Sequence, residues 1–510
     1  MWSDEKITYP VILTAATTAL FHIKGLFSFF SIQQFAGRDL ASNYAFTWLM
    51  QQNLLRGEIF RWSNQWLMGF PSFEMYPPFF FIFTSGVNLV SGGLVGLHGI
   101  FRTVVFLSVF LIPLATYYFT KDVFGHERSF FAGLHTLLFI FVYPPVSQAY
   151  QVFSTGLVAQ GFAFVLLIPS IGFMLRRERK YLAASGILLG LSALSHPFVA
   201  AVGFLISGSM VLIDRDICSA FPALIGEFIF LPWFLTALTH LQYVDTYTFA
   251  PANTGLFLYI LLPLIIFGGL KDESTQPLLA SFIILLGMSV LELPILTQEL
   301  RFYTYALGLG SILAGLGSYR IYIHLEENLE LDKTVLFILL MVPVAGLSIQ
   351  AELPQSWNHD GGTEQLFNQL QSMERGRVLV ETSNSSIHDS YIIQANLPLK
   401  THHWAANDVH LDSSTSANYI LTLESWISEE ELYNPICRTC NTSANPKIIS
   451  ERLDDLGIRY ITVRTEESKK LMEKVAEYEG RYGDYWLFEN KENYQIVEKL
   501  KYKPIALKGS

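Results

Sequence analysis

The chain has 510 residues, of which 51% are hydrophobic and only 15% charged, with a formal net charge of −10 at neutral pH. A mean hydropathy of +0.34 sets it apart from soluble proteins of this length. The acidic balance, with no basic stripe and no run of Lys and Arg interleaved with aromatics, excludes nucleic acid as a partner. The charge is also unevenly placed: it is sparse from Met1 to Gln350 and dense from Ala351 onward. That shift divides the chain into a membrane-embedded part, 1–350, and a water-soluble domain, 351–510.

The first apolar stretch, Ile7 to Ile32, is long enough to span a bilayer and has no small-residue cleavage site, so it reads as a signal anchor. Further apolar runs of spanning length fall near 100–119, 128–144, 155–175, 181–195, 197–213, 217–238, 254–270, 277–296, 302–319 and 334–350. The strongest basic cluster, Arg176, Arg177, Arg179 and Lys180, marks a cytoplasmic loop. Counting outward from it, the loop Lys121 to Arg128, Arg215, Lys271 and the loop Arg320 to Lys333 fall on the same side. The segments 145–154 and 239–253, without Lys or Arg, fall on the other. The count closes only if the twelfth apolar run, 78–97, does not cross. Ser85, Gly86, Asn88, Ser91, Gly92 and Gly93 interrupt it, and such a segment is tolerated at membrane depth only where protein or a wet cavity covers it. It is read as a dipping, re-entrant segment. The expected architecture is therefore an α-helical polytopic membrane bundle of about 11 crossings. Its N-terminus is cytoplasmic, its first outside loop spans 34–77, and its C-terminal domain is extracytoplasmic. No repeat of 20 to 50 residues and no matched pair of broken helices points to a transporter.

Beyond Ala351, short β-branched runs alternate with amphipathic stretches. Strands are expected at 377–381, 419–423, 459–463 and 485–488, and helices at 363–374, 446–456 and 465–479, giving a small α/β domain. Cys437 and Cys440 form a C-x-x-C, read as a local disulfide because a zinc site would need two more nearby ligands; free thiols are the alternative. The sequons at Asn384 and Asn441 suit an extracytoplasmic domain but are common by chance. Thr401-His402-His403-Trp404 could line a ligand site or serve packing, since adjacent histidines on a regular element point apart.

The first outside loop holds the chemistry. Asp39 stands where the first span leaves the bilayer, and a carboxylate there could act as a general base towards a hydroxyl acceptor. It could equally cap the helix that follows, or pair with Arg38 or Arg61. The loop ends in Gly69-Phe70-Pro71-Ser72-Phe73-Glu74-Met75-Tyr76-Pro77-Pro78, placing Glu74 and Tyr76 as acceptor-side or cavity-lining candidates. Its aromatic series could instead be an interfacial belt. Arg301, beside Glu299 at the mouth of a span, suits a phosphate through its planar fork, and snorkelling or a salt bridge with Glu299 would also account for it. His196, in Leu194-Ser195-His196-Pro197-Phe198, joins two spans on the same side and could hydrogen-bond a phosphate or be interfacial trim. A base near an acceptor and a cation near a lipid phosphate are what sugar transfer from a polyprenyl phosphate requires.

The early Asp after a signal-anchor span, the Gly-Phe-Pro…Tyr-Pro-Pro exit at 69–78, Ser195-His196-Pro197 and Arg301-Phe302 together resemble the GT-C superfamily of polytopic glycosyltransferases. More narrowly, with the stretches 376–381 and 456–460, the chain resembles a prokaryotic membrane-protein family labelled as related to 6-pyruvoyl-tetrahydropterin synthase. The pterin chemistry in that label is not expected here, because no three-His zinc arrangement is present. The superfamily resemblance implies a polyprenyl-phosphate sugar donor, an extracytoplasmic site under the first loop, a glycan or protein acceptor, and a catalytic carboxylate that only Asp39 matches. Arg38-Asp39-Leu40 holds a single acidic residue, and no D-x-D or E-x-D follows in the loop, so a divalent metal is not expected. The competing expectation is a non-catalytic lipid-binding protein or a transporter, whose polar path would pass Glu227 and Glu292.

Overall fold

The structure, a computed structural model, describes residues 5–32, 35, 39–66, 69–141, 147–239, 256–270, 272–290, 299–329, 335, 362–381, 387–407, 423–424, 426–427 and 445–491. Cys437, Cys440, Arg38, Glu292, both sequons, the run 334–350 except residue 335, and most of the expected strand at 419–423 lie outside them. Of that last strand, Leu423 is described, and it is helical.

Among its described residues the membrane part is helical apart from one short hairpin. Helix α1 (Glu5–Ile23) ends at Gly25, whose φ of 68° is left-handed, and a 3-10 helix, Leu26–Ser31, follows. The stretch read as one continuous span is thus broken near its end. After Asp39 come α2 (Leu40–Leu54), a short hairpin of β1 (Arg61–Ser63) and β2 (Phe70–Ser72), and α3 (Phe79–Val90). At about 1.5 Å per residue, the 12 residues of α3 cover less than the roughly 30 Å hydrocarbon thickness. Helices α4 (Gly96–Phe110) and α5 (Ile112–Phe124) meet at a 49° bend, where Pro113 enters the first turn of α5. They are followed by α6 (His126–Phe141), the short α7 (Gln148–Phe153), α8 (Val158–Leu175), α9 (Arg179–Ala193), α10 (Pro197–Asp214), α11 (Phe221–Leu238), α12 (Leu256–Leu270), α13 (Gln276–Val290) and the 31-residue α14 (Glu299–Leu329). Among the described residues four helical stretches are individually long and apolar enough to cross a membrane, and the bent α4–α5 pair makes a fifth. Among the other apolar runs read from the sequence, α1 ends at Ile23 and α3 at Val90, while parts of the runs 277–296 and 334–350 lie outside the described residues.

Small residues set the closest helix contacts. A Cβ on Gly317 of α14 would stand 2.1 Å from the Leu264 carbonyl oxygen of α12, and one on Gly268 of α12 would stand 2.0 Å from the Leu313 carbonyl oxygen of α14. Such backbone approach is how helices gain contact where lipid removes the hydrophobic drive between them. On α11, by contrast, Phe221, Leu224, Phe228 and Leu235 are exposed, as a lipid-facing surface requires.

The loops assigned to one side by their basic residues gather at one end of the bundle. There Arg128 and Arg320 both reach Asp272 (3.3 and 2.5 Å), Arg176 pairs with Asp122 and Arg177 with Asp214. Glu127 accepts from Tyr9 of α1 and Tyr319 of α14. At the opposite end the Phe79 amide donates to the Leu194 carbonyl, and the Asp39 amide to that of Thr155.

The C-terminal domain is a five-stranded sheet in the order β4-β3-β5-β7-β6. Its elements are α15 (Gly362–Ser372), β3 (Arg377–Val380), α16 (Ile387–Lys400), β4 (Trp404–Ala405), α17 (Pro446–Asp455), β5 (Ile458–Val463), α18 (Glu466–Met472), β6 (Glu477–Tyr482) and β7 (Tyr485–Glu489). Strands β4, β3 and β5 are parallel, and β7 and β6 run antiparallel to their neighbours. The helix expected over 465–479 stops at Met472, and its last residues belong to β6. Gly480 and Gly483, with φ of 154° and 63°, give the turn-and-hairpin geometry that a helix cannot use. The buried Glu381, just past β3, fixes the start of α18 by accepting from the Thr465 amide and the Thr465 and Ser468 hydroxyls.

This domain docks on the first loop. Trp66 is fully buried, donates its indole N–H to the Gln394 carbonyl of α16 (3.0 Å) and stacks on Phe46 of α2. The Ala405 amide of edge strand β4 donates to the Gln65 carbonyl (3.0 Å), so the loop covers an edge that would otherwise be open.

Candidate functional site

Asp39 occupies the N-cap position of α2, but its side chain makes no capping hydrogen bond, so the capping reading of this residue does not hold. It is half-buried, and its main chain is held firmly. The Asp39 amide donates to Thr155 O (2.9 Å), and Asn43 Nδ2 donates to both Asp39 O and Gly156 O (2.8 and 3.0 Å). Gly156, at φ +87°, lies directly on this backbone: a Cβ there would stand 2.2 Å from Leu40 N and 2.6 Å from Asp39 C. Only glycine satisfies both the left-handed backbone and the contact.

Arg301 and His196 come together across a separation of 105 residues. The Arg301 Nη1 lies 3.4 Å from His196 Nε2, and the guanidinium stands over the Phe198 ring at 5.8 Å. His196 sits in the turn between α9 and α10, almost completely buried, and its Nδ1 is closed off from solvent with no hydrogen-bond partner. Burial first, and the Arg301 charge second, hold the imidazole well below its ordinary titration range. With Nε2 accepting from Arg301, the neutral ring carries its proton on Nδ1, which is an unspent donor beside a cation.

Between these two points lies a polar cluster that sequence reasoning did not single out. From α7, Gln151 Nε2 donates to Thr304 Oγ1 of α14 (2.8 Å), and Gln160 of α8 donates to Gln151 Oε1. The Tyr305 hydroxyl donates to Gln160 Oε1 (3.2 Å). Gln148, fully buried on the same short helix, has neither amide atom paired. The signal that could have found them is three glutamines within 13 residues of an apolar region, a costly choice at membrane depth unless each is bonded. Tyr305 also lines a small apolar cavity between α6, α8, α10 and α14, together with Phe139, Phe164, Ile168, Val202 and Leu309.

The remaining candidates are spread out. Glu74 and Tyr76 are half-buried at the loop exit, with Tyr76 against Phe46 and Phe81. Nearby, the Trp233 indole of α11 donates to Phe73 O (2.9 Å). Glu299 falls in the first turn of α14. His402 and His403 stack at 4.5 Å in the C-terminal domain, with ring nitrogens against the Met373, Leu370 and Gly376 main chain, while Trp404 is buried beneath Arg375 at 4.0 Å. These contacts are those of packing, and they lie on the domain rather than in the Arg301–His196 pair. Among the described residues no group of three His, Cys, Asp or Glu could hold a metal ion.

No family model and no curated protein matches the sequence. Solved structures do. The oligosaccharyltransferase of Archaeoglobus fulgidus in its apo form superposes with a TM-score of 0.58 at 14% identity, covering 91% of this chain and 70% of that one. ArnT from Cupriavidus metallidurans, bound to undecaprenyl phosphate, gives 0.58 at 13% identity over 94% and 97% of the two chains. The chain has the GT-C fold. The Archaeoglobus enzyme, AglB, has also been solved with an inhibitory peptide and a dolichol-phosphate, and that structure matches with a TM-score of 0.55 at 14% identity over 91% of this chain and 70% of that one. At this identity the likeness is one of fold.

Proposed function

We propose that the chain is a membrane glycosyltransferase that moves a sugar from a polyprenyl-phosphate-linked donor to an extracytoplasmic glycan or protein acceptor. The observation that carries the reading is the Arg301–His196 pair, a guanidinium beside an imidazole with a buried, unspent Nδ1–H, at the end of the bundle where Asp39 is pinned. Asp39 takes the acceptor proton as the acceptor oxygen or nitrogen attacks the anomeric carbon. The bond from that carbon to the lipid phosphate breaks, and the released phosphate carries the electron pair. Arg301 and the His196 Nδ1–H stabilise that charge as it develops. Glu74 and Tyr76 flank the acceptor. The reading routes no step through a divalent metal.

Relatives in fold have been solved with dolichol-phosphate and undecaprenyl phosphate, which supports this class of ligand. The transporter alternative gains nothing from Glu227, which is exposed on α11 beside the lipid-facing Phe228 rather than lining an interior path. The test is binding of undecaprenyl or dolichyl phosphate to the protein in lipid nanodiscs. Replacing Arg301 with Ala should weaken binding by about 1.5–3 kcal/mol, the worth of a charge-assisted hydrogen bond. An Arg301→Ala protein that binds as tightly as the parent would sink the assignment.

A further inference from the structure

The two reactive groups sit on different parts of the fold, and one short helix is linked by hydrogen bonds to the segments that carry both. Asp39 is held through its backbone by Thr155 and Gly156, immediately after α7. The carbonyl of Gln151, in α7, accepts from the Thr155 hydroxyl and from the Leu157 amide (2.8 Å for the latter), so the turn carrying Thr155 and Gly156 is tied back to Gln151. The side chain of the same residue reaches the other way, to Thr304, three residues past Arg301. Gln160 accepts from Tyr305, one turn past Arg301, and donates to Gln151. Gln151, Gln160, Thr304 and Tyr305 are all buried.

We infer that Gln151 is a positioning residue that fixes the separation of Asp39 and Arg301. The inference rests on the proposed function. A base and a phosphate-binding cation cooperate only if both stand within a fraction of an ångström of their working places, and here they belong to α2 and α14, which enter the site separately. Gln151 is the amide that bonds to both sides, its main chain towards Asp39 and its side chain towards Arg301. In an apolar interior each of these bonds is costly to lose, because the freed partner finds no water. The strut is therefore stiff, which loop contacts at a membrane surface are not.

The experiment uses the full chain in nanodiscs with Gln151→Leu, Thr304→Val and the double variant. The expected result is a fall in kcat of about 10- to 100-fold with KM for the lipid-linked donor changed less than about two-fold, since Arg301 keeps its charge while the geometry loosens. The double variant should be no worse than the worse single one, because both cut the same strut. Hydrogen exchange at the amides of residues 39–43 should quicken in each variant. Thr304→Val, which removes one hydroxyl at constant shape, keeps the test valid if Gln151→Leu does not fold. Unchanged kcat with unchanged exchange, or a lowered Tm with normal kcat per folded molecule, or strictly additive losses would each overturn the inference. If Asp39→Asn and Arg301→Ala both leave sugar transfer intact, the glycosyltransferase reading fails instead, and the exchange measurement still decides the strut.

Discussion

The two ends of the bundle are built from different chemistry. At one, charge meets charge: Arg128 and Arg320 share Asp272, Arg176 meets Asp122, Arg177 meets Asp214, and Glu127 is bound by two tyrosines. At the other, Arg301 stands beside a neutral imidazole instead of a carboxylate, the groups around it are amides and hydroxyls, and buried atoms are left without partners at Gln148 and His196. The first arrangement clamps α1, α6, α12 and α14 together by pairing opposite charges. The second holds its polar groups in place while leaving donors unspent, which is what a binding end needs. Among the described residues, the C-terminal domain meets this second end through Trp66 and Gln65.

The sharpest way to break this contrast is to make the same substitution at each end. Asp39→Asn should lower sugar transfer by roughly 10²–10⁴-fold, the usual worth of a positioned general base, with thermal unfolding unchanged. Asp272→Asn should do the reverse. It strands Arg128 and Arg320, and because Asp272 is 36% exposed the loss should be about 1–3 kcal/mol of stability, less than for a fully buried pair, with transfer per folded molecule unchanged. A transfer defect at Asp272 as large as at Asp39 would dissolve the distinction.

Trp66→Ala tests the cover. Removing a buried indole should cost about 3–5 kcal/mol, read as a separate, earlier unfolding transition of the C-terminal domain and faster proteolysis between it and the bundle. A single unshifted transition would mean that the docking adds little.

The smallest effect is a pH dependence confined to that domain. Burial, the largest influence, holds His403 below its ordinary value, while Nδ1 accepts from the Gly376 amide. The unfolded histidine titrates near 6.5, so below that pH the unfolded state takes up the proton first. Stability should be level above about pH 6.5 and fall on acidification by at most about 1.4 kcal/mol per pH unit. His403→Gln should flatten that slope, as thermal unfolding between pH 7.5 and 5 would show.

Much of the fold was legible because membrane and strand signals are local. The apolar runs at 155–175, 181–195 and 197–213 fall on α8, α9 and α10, and Arg377–Glu381 and Arg459–Val463 fall on β3 and β5. The misread segment, 465–479, failed because amphipathic spacing in a charged stretch suits a helix until glycines at 480 and 483 bend it into a hairpin. In the site, Asp39, His196 and Arg301 stood out as ionisable residues near apolar runs. Gln148, Gln151 and Gln160 did not, because an uncharged amide carries no charge signal and only their clustering, three within 13 residues of an apolar region, marks them.

Sequence by itself determined that this chain enters a membrane, where its loops divide by charge, and that a small α/β domain follows, since these depend on transfer energies and periodicities of neighbouring residues. Tertiary structure alone decided that His196 meets Arg301 across 105 residues, that Gly156 lies on the backbone of Asp39, and that Trp66 anchors the domain over that end. Each is a contact between distant segments, set by how helices pack and by which buried polar groups must be satisfied, and neither is written in any local stretch of the chain.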